Sequence, residues 1–96
     1  MHTRANTPPV VVDVRSPAEY AAGHVDGAIN LPLDRLAQEL EHALPDRAAP
    51  VLLYCQSGAR SGMALQWLHQ QGYRLAANGG SAGAVALQLG RGIRRG

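Results

Sequence analysis

Apolar and polar stretches take turns along this chain, in blocks that fit strands and helices alternately. Val10 to Val14 is an apolar run interrupted only by Asp13, which reads as a buried parallel strand. Ser16 is placed to cap a short helix that starts at Pro17, runs to about Ala22 and stops at Gly23. Ala28 to Leu31 reads as a second short strand. Asp34 is expected to cap a helix that sets Leu36, Ala37, Leu40 and Leu44 on one face and ends at Pro45. After a loop over Asp46 to Pro50, Val51 to Tyr54 is a third strand. The next helix carries Ala64, Leu65 and Leu68 on one face, with Gly72 as its stop. Tyr73 to Ala77 is a weaker fourth strand, interrupted by Arg74 and Ala76. Asn78-Gly79-Gly80 reads as a turn, and Ala84 to Leu89 as a last short helix. Strands alternating with helices imply βα crossovers. The fold class expected is α/β, a small parallel sheet with helices on both faces.

Ninety-six residues suit one domain with a modest core. Residues 1–9 read as a flexible lead-in ending at Pro8-Pro9, residues 10–90 as the single domain, and residues 91–96 as a flexible basic tail. With no Phe, the core must rest on Leu, Val and Ala. The formal charge is +2, and every basic residue is Arg. Arg91, Arg94 and Arg95 lie among Gly90, Gly92 and Gly96, so they read as a solvated end rather than a phosphate-binding patch. A nucleic-acid partner is not expected. No apolar run is long enough to span a bilayer, so no membrane partner is expected either. The polar start is not a signal peptide. The expected compartment is the cytoplasm, or the periplasm if a leader has been removed.

The stretch richest in chemistry is Val51-Leu52-Leu53-Tyr54-Cys55-Gln56-Ser57-Gly58-Ala59-Arg60-Ser61-Gly62. It places the chain's one cysteine at the carboxyl end of a strand, ahead of a short polar loop and a helix. In α/β sheets ligands bind at such ends. Successive backbone N–H groups of such a loop can converge on one spot as an anion nest. The positive end of the helix faces the same spot, and Arg60 adds a fixed charge. All three favour a thiolate over a thiol, below the free value of ~8.5. A lone cysteine after an apolar strand is also a common small core residue. Gly58 between the small Ser57 and Ala59 argues for a tight functional turn instead. One cysteine excludes an internal disulfide and a Cys-rich zinc site. The four histidines show no metal-ligand spacing. Four residues separate Cys55 from Arg60, whereas cysteine phosphatases have five in a similar cradle. The shorter loop suits a single sulfur atom rather than a tetrahedral phosphate.

At these residues the chain resembles the rhodanese family of sulfurtransferases, whose active loop is Cys-x4-Arg. A second stretch carries the same resemblance: Val10 to Tyr20, with Asp13-Val14-Arg15 and Glu19-Tyr20, running into Gly23-His24-Val25-Asp26-Gly27-Ala28 and Asn30-Leu31-Pro32. Two ordered motifs about forty residues apart are more specific than either alone. The resemblance covers about Val10 to Gly80 and is strongest to the short single-domain bacterial phage-shock type. It departs from the wider family in its short amino-terminal lead. It also has Ser81-Ala82-Gly83-Ala84-Val85 where many members carry a tryptophan after the Gly-Gly.

The resemblance implies a thiosulfate sulfurtransferase working through a Cys55 persulfide, without metal or organic cofactor. It implies a small anionic sulfur donor, and a thiol or cyanide, or a protein, as sulfur acceptor. The loop residues Gln56, Ser57, Gly58, Ala59, Arg60 and Ser61 would bind substrate. Alternatives are a persulfide carrier or interaction module without turnover and, further off, a cysteine-based phosphatase or arsenate reductase. A monomer is expected. Arg60 has two readings: it orients the donor, or it braces the loop against a carboxylate such as Glu19. Ser61 is expected to cap the helix rather than donate to the thiolate. Asp13 and Arg15 are expected to fix loops by hydrogen bonding, His24 to hold its turn, and Trp67 to pack.

Overall fold

A computed structural model describes residues 7–96. The first six residues of the expected lead-in lie outside the described residues. The chain runs β1 (Val10–Asp13), α1 (Pro17–Ala22), β2 (His24–Val25), β3 (Ile29–Asn30), α2 (Leu36–Ala43), β4 (Val51–Cys55), α3 (Ala59–Gln70), β5 (Ala76–Ser81), α4 (Ala82–Leu89) and β6 (Ile93–Arg94). Four strands form a parallel sheet in the order β3-β1-β4-β5. The chain steps from β1 to β3 on one side, then crosses back to β4 on the other. That reversal opens a crevice beyond the carboxyl ends of β1 and β4.

β4 is an interior strand, and all five of its residues are buried. Alternation along a strand sends neighbours to opposite faces. Leu53 and Cys55 join Val12, Leu36, Leu40, Ala64 and Leu68 in one core, beneath α2 and α3. Leu52 and Tyr54 join Val11, Val25, Ala28, Val85 and Ala86 in a second core on the other face. The cores do not rest on Leu, Val and Ala alone: Tyr73 in the first and Tyr54 in the second are fully buried and supply the aromatic bulk that Phe would give. Each buried Leu or Val adds roughly 1.5–3 kcal/mol of transfer free energy.

α1 begins as its residues dictate. Ser16 accepts the Glu19 N–H, and the Glu19 side chain accepts the Ser16 N–H, a reciprocal capping box, with Pro17 in the first turn. Other elements depart from local expectation. Asp34 does not cap α2; it lies in a single 3-10 turn (Leu33–Arg35), and α2 has no side-chain cap. Ala37 is exposed, whereas Leu36, Leu40 and Leu44 are buried. Asn78-Gly79-Gly80 is not a turn but the middle of β5. A Cβ on Gly79 would lie 2.4 Å from Val85 Cγ2 and 3.2 Å from Leu52 Cδ1. The glycine is there so that α4 and β4 can close on the strand, a contact between distant elements that mimics a turn signal locally.

Residues 91–96 are not a free tail. β6 pairs antiparallel with β2, Gly92 O accepts the Asp26 N–H at 2.9 Å, and Ala21 O accepts the Gly96 N–H at 2.7 Å. Arg94 pairs with Asp26 at 3.3 Å. The two-residue β2 would otherwise present unpaired backbone groups. Among the described residues, no helix is long and apolar enough to cross a membrane.

Candidate active site

The end of β1 supplies the frame. The Asp13 side chain is fully buried and accepts from Arg15 Nε and from Arg15 Nη2, the latter at 2.7 Å. A buried carboxylate is costly unless paired in this way. Arg15 also donates to Gly23 O at 2.6 Å, and Asn30 Nδ2 donates to the carbonyls of Asp13 and Arg15. The segments leaving β1 and α1 and entering β3 are thereby tied together beside the crevice. His24 opens β2 rather than lying in a turn, and is buried there, stacked on Tyr20 with its Nδ1 at 2.8 Å from Tyr20 O. Trp67 packs against the first core.

Cys55 ends β4 and is 1% exposed, at the floor of the loop. Gly58 turns the chain with φ of +97°, a conformation L side chains rarely adopt, and acts as the N-cap of α3. This turn aims the Gly58 N–H at Cys55 Sγ, 3.0 Å away. Gln56, Ser57 and Ala59 form the exposed rim. Burial pushes the Cys55 thiol up, but the Ser61 hydroxyl and the N–H groups of Ser61, Ser57 and Gly58 outweigh it and bring the group down to about 7.

Two loop residues differ from, or decide between, their sequence readings. Ser61 does not cap α3, because the helix begins two residues earlier, at Ala59. Ser61 therefore falls in the first turn and points inward, wholly buried, with Oγ 3.5 Å from Cys55 Sγ and 2.7 Å from Asn78 Oδ1. Arg60 grips Glu19 of α1 with two bonds, of 2.7 and 2.9 Å. Arg60 holds the Glu19 carboxyl down to about 2, with help from the Ser16 N–H. The pair is thus complete above the ordinary carboxylate range and is lost as pH falls towards 2. The capping box of α1 and the brace of the loop share one carboxylate. A shallow depression lined by Val14, Ser16, Pro32, Leu33, Asp34 and Arg60 lies alongside.

Asn78 is the site residue that sequence reasoning missed. Its Nδ2 donates to Gly58 O at 3.0 Å, so β5 reaches across to the loop. Taken as a turn residue, it gave no local signal of this contact.

The arrangement is a buried cysteine sulfur under a backbone N–H of a short loop, at the switch point of a parallel α/β sheet. The chain matches the Rhodanese-like domain family over residues 1–85 and belongs to that family. It is 38% identical over 76 residues to the thiosulfate sulfurtransferase PspE of Escherichia coli K12, covering 79% of this chain and 73% of that protein. It is 42% identical over 64 residues to the thiosulfate sulfurtransferase GlpE of Pseudomonas entomophila, covering 67% of this chain but only 57% of that relative. A solved structure of a rhodanese with anions from E. coli superposes with a TM-score of 0.83 at 34% identity, covering 93% of this chain and all of the other.

The loop electrostatics make a direct prediction. Alkylation of Cys55 by iodoacetamide should rise with pH as the thiolate forms and reach half its maximum near pH 7. An inflection near the free-thiol value of ~8.5 would mean that the loop does not activate the sulfur.

Proposed function

We propose that this protein is a thiosulfate sulfurtransferase in which Cys55 carries the sulfur. The Cys55 thiolate attacks the outer sulfur of thiosulfate. The S–S bond of the donor breaks, sulfite leaves with the bonding pair, and Cys55 becomes a persulfide. An acceptor thiolate, or cyanide, then attacks the terminal sulfur and restores the Cys55 thiolate. The two half-reactions share one covalent intermediate, so ping-pong kinetics are expected.

The observation that carries this reading is the Gly58 N–H held 3.0 Å from Cys55 Sγ within a loop of four residues. Such a donor stabilises the thiolate that attacks and leaves again. The loop is short, and its arginine is committed to Glu19 from outside. A short loop suits one diffuse negative sulfur, and its guanidinium is already paired rather than free for a phosphoryl group. In this reading Gln56, Ser57, Gly58, Ala59 and Ser61 surround the persulfide, while Arg60 fixes the loop's shape.

Intact-mass measurement tests the proposal. After incubation with thiosulfate the protein should gain one sulfur atom, ~32 Da, and lose it on adding cyanide or dithiothreitol. A mass unchanged under excess thiosulfate would sink the reading.

A further inference from the structure

The Ser61 hydroxyl has two acceptors within reach and a single proton. Its Oγ lies 2.7 Å from Asn78 Oδ1 and 3.5 Å from Cys55 Sγ. The Asn78 amide can face only one way. Its Nδ2 donates to Gly58 O and its Oδ1 accepts the Gly80 N–H, each at 3.0 Å. Turned over, it would set oxygen against carbonyl and NH2 against N–H. An amide oxygen cannot donate, so the proton joining Ser61 to Asn78 is Ser61's own. Cys55 then faces the lone pairs of the Ser61 oxygen. A thiol suits that arrangement, since its S–H can donate to Oγ. A thiolate does not, and needs the hydroxyl turned towards sulfur and away from Asn78.

We propose that Asn78 is a positioning residue that sets the nucleophilicity of Cys55 by competing with its sulfur for the one hydroxyl proton of Ser61. The inference rests on Cys55 being the working nucleophile of the proposed sulfurtransferase. Ser61 is fully buried, so no bulk water replaces either partner. The neighbouring charges are committed elsewhere: Arg60 to Glu19, and Arg15 to Asp13. β5 and α4, which carry and follow Asn78, contain no titratable side chain. Asn78 packs directly on the first turn of α3: a Cβ on Gly58 or Gly62 would lie in ordinary contact with its Nδ2, at 3.7 and 3.5 Å. Removing the amide does not strand the Gly58 carbonyl, which also accepts the Gly62 N–H at 2.9 Å. The first turn of α3 thus holds without Asn78.

The test is the pH profile of Cys55 alkylation by iodoacetamide in the full chain, which needs no sulfur donor. Asn78→Ala frees the Ser61 proton for sulfur, and the inflection should move down by about 0.5–1 pH unit, the scale of one hydrogen bond. Asn78→Asp holds that proton more tightly and adds negative charge, so the inflection should move up. Ser61→Ala should also move it up, and in that background Asn78→Ala should have no further effect. A merely structural Asn78 would make both its variants shift upward together, towards the free thiol, as the loop loosened. An inflection for Asn78→Ala at or above that of wild type overturns the proposal. So does an equal shift with and without Ser61. Should Asn78→Ala not fold, the upward shift of Asn78→Asp must still be smaller in the Ser61→Ala background; an equal shift there overturns the proposal too. If these shifts appear but thiosulfate adds no sulfur, the sulfurtransferase reading fails and the competition for the proton stands.

Discussion

Cys55→Ser abolishes sulfur transfer while leaving the protein folded. Formation of thiocyanate from thiosulfate and cyanide should drop by more than ~10³-fold, as expected when a covalent nucleophile is removed. The mass gain of ~32 Da on incubation with thiosulfate should vanish with it. A serine hydroxyl does not ionise near neutral pH and cannot form a persulfide, and the chain has no other cysteine to substitute. The fold should survive because serine keeps partners at this position. The Gly58 N–H donates to the atom it replaces, and the Ser61 Oγ lies 3.5 Å from it. The net change in stability should be about 1 kcal/mol, readable as a small shift in thermal midpoint. Thiocyanate formation at the wild-type rate by Cys55→Ser would rule out a persulfide on this protein.

A one-residue insertion between Gly58 and Ala59 should lower turnover by roughly 10²-fold, the penalty for displacing a catalytic geometry by about 1 Å. The loop is held at three points. Gly58 donates to Cys55 Sγ, Arg60 is fixed to Glu19 from outside, and Asn78 grips the Gly58 carbonyl. An added residue cannot be absorbed without moving the Gly58 N–H or releasing Arg60. Wild type should show no turnover of p-nitrophenyl phosphate, since its loop is a residue short of a phosphatase cradle. Undiminished thiocyanate production by the insertion variant would show that loop length does not set the chemistry. Efficient hydrolysis of p-nitrophenyl phosphate by wild type would reverse the assignment altogether.

What could be read from the chain was whatever neighbours within a turn decide. The Ser16 cap of α1, the glycine at Gly58, the apolar run of β4 and the cysteine at its end all rest on local backbone chemistry. The centre of the candidate site was legible for the same reason, because a thiol, a tight loop and a helix start lie within seven consecutive residues. The carboxyl end of the chain was not legible. β2 and β6 are two residues each, too short for any hydrophobic period, and their pairing joins His24 to Arg94 across the chain.

Strand, cap and loop signals act over a few residues, and they sufficed for an alternating α/β chain with its cysteine at a strand end. Tertiary structure alone decided where β5 runs, because Gly79 is shaped by Val85 and Leu52 rather than by its neighbours. It alone chose Glu19 as the partner of Arg60, 41 residues away, and turned Ser61 inward to Cys55 and Asn78. The physical reason is one of range. Backbone propensities and caps are settled within a helical turn, whereas a charged or hydroxyl side chain takes whichever partner the sheet brings within about 3 Å, and that depends on strand order.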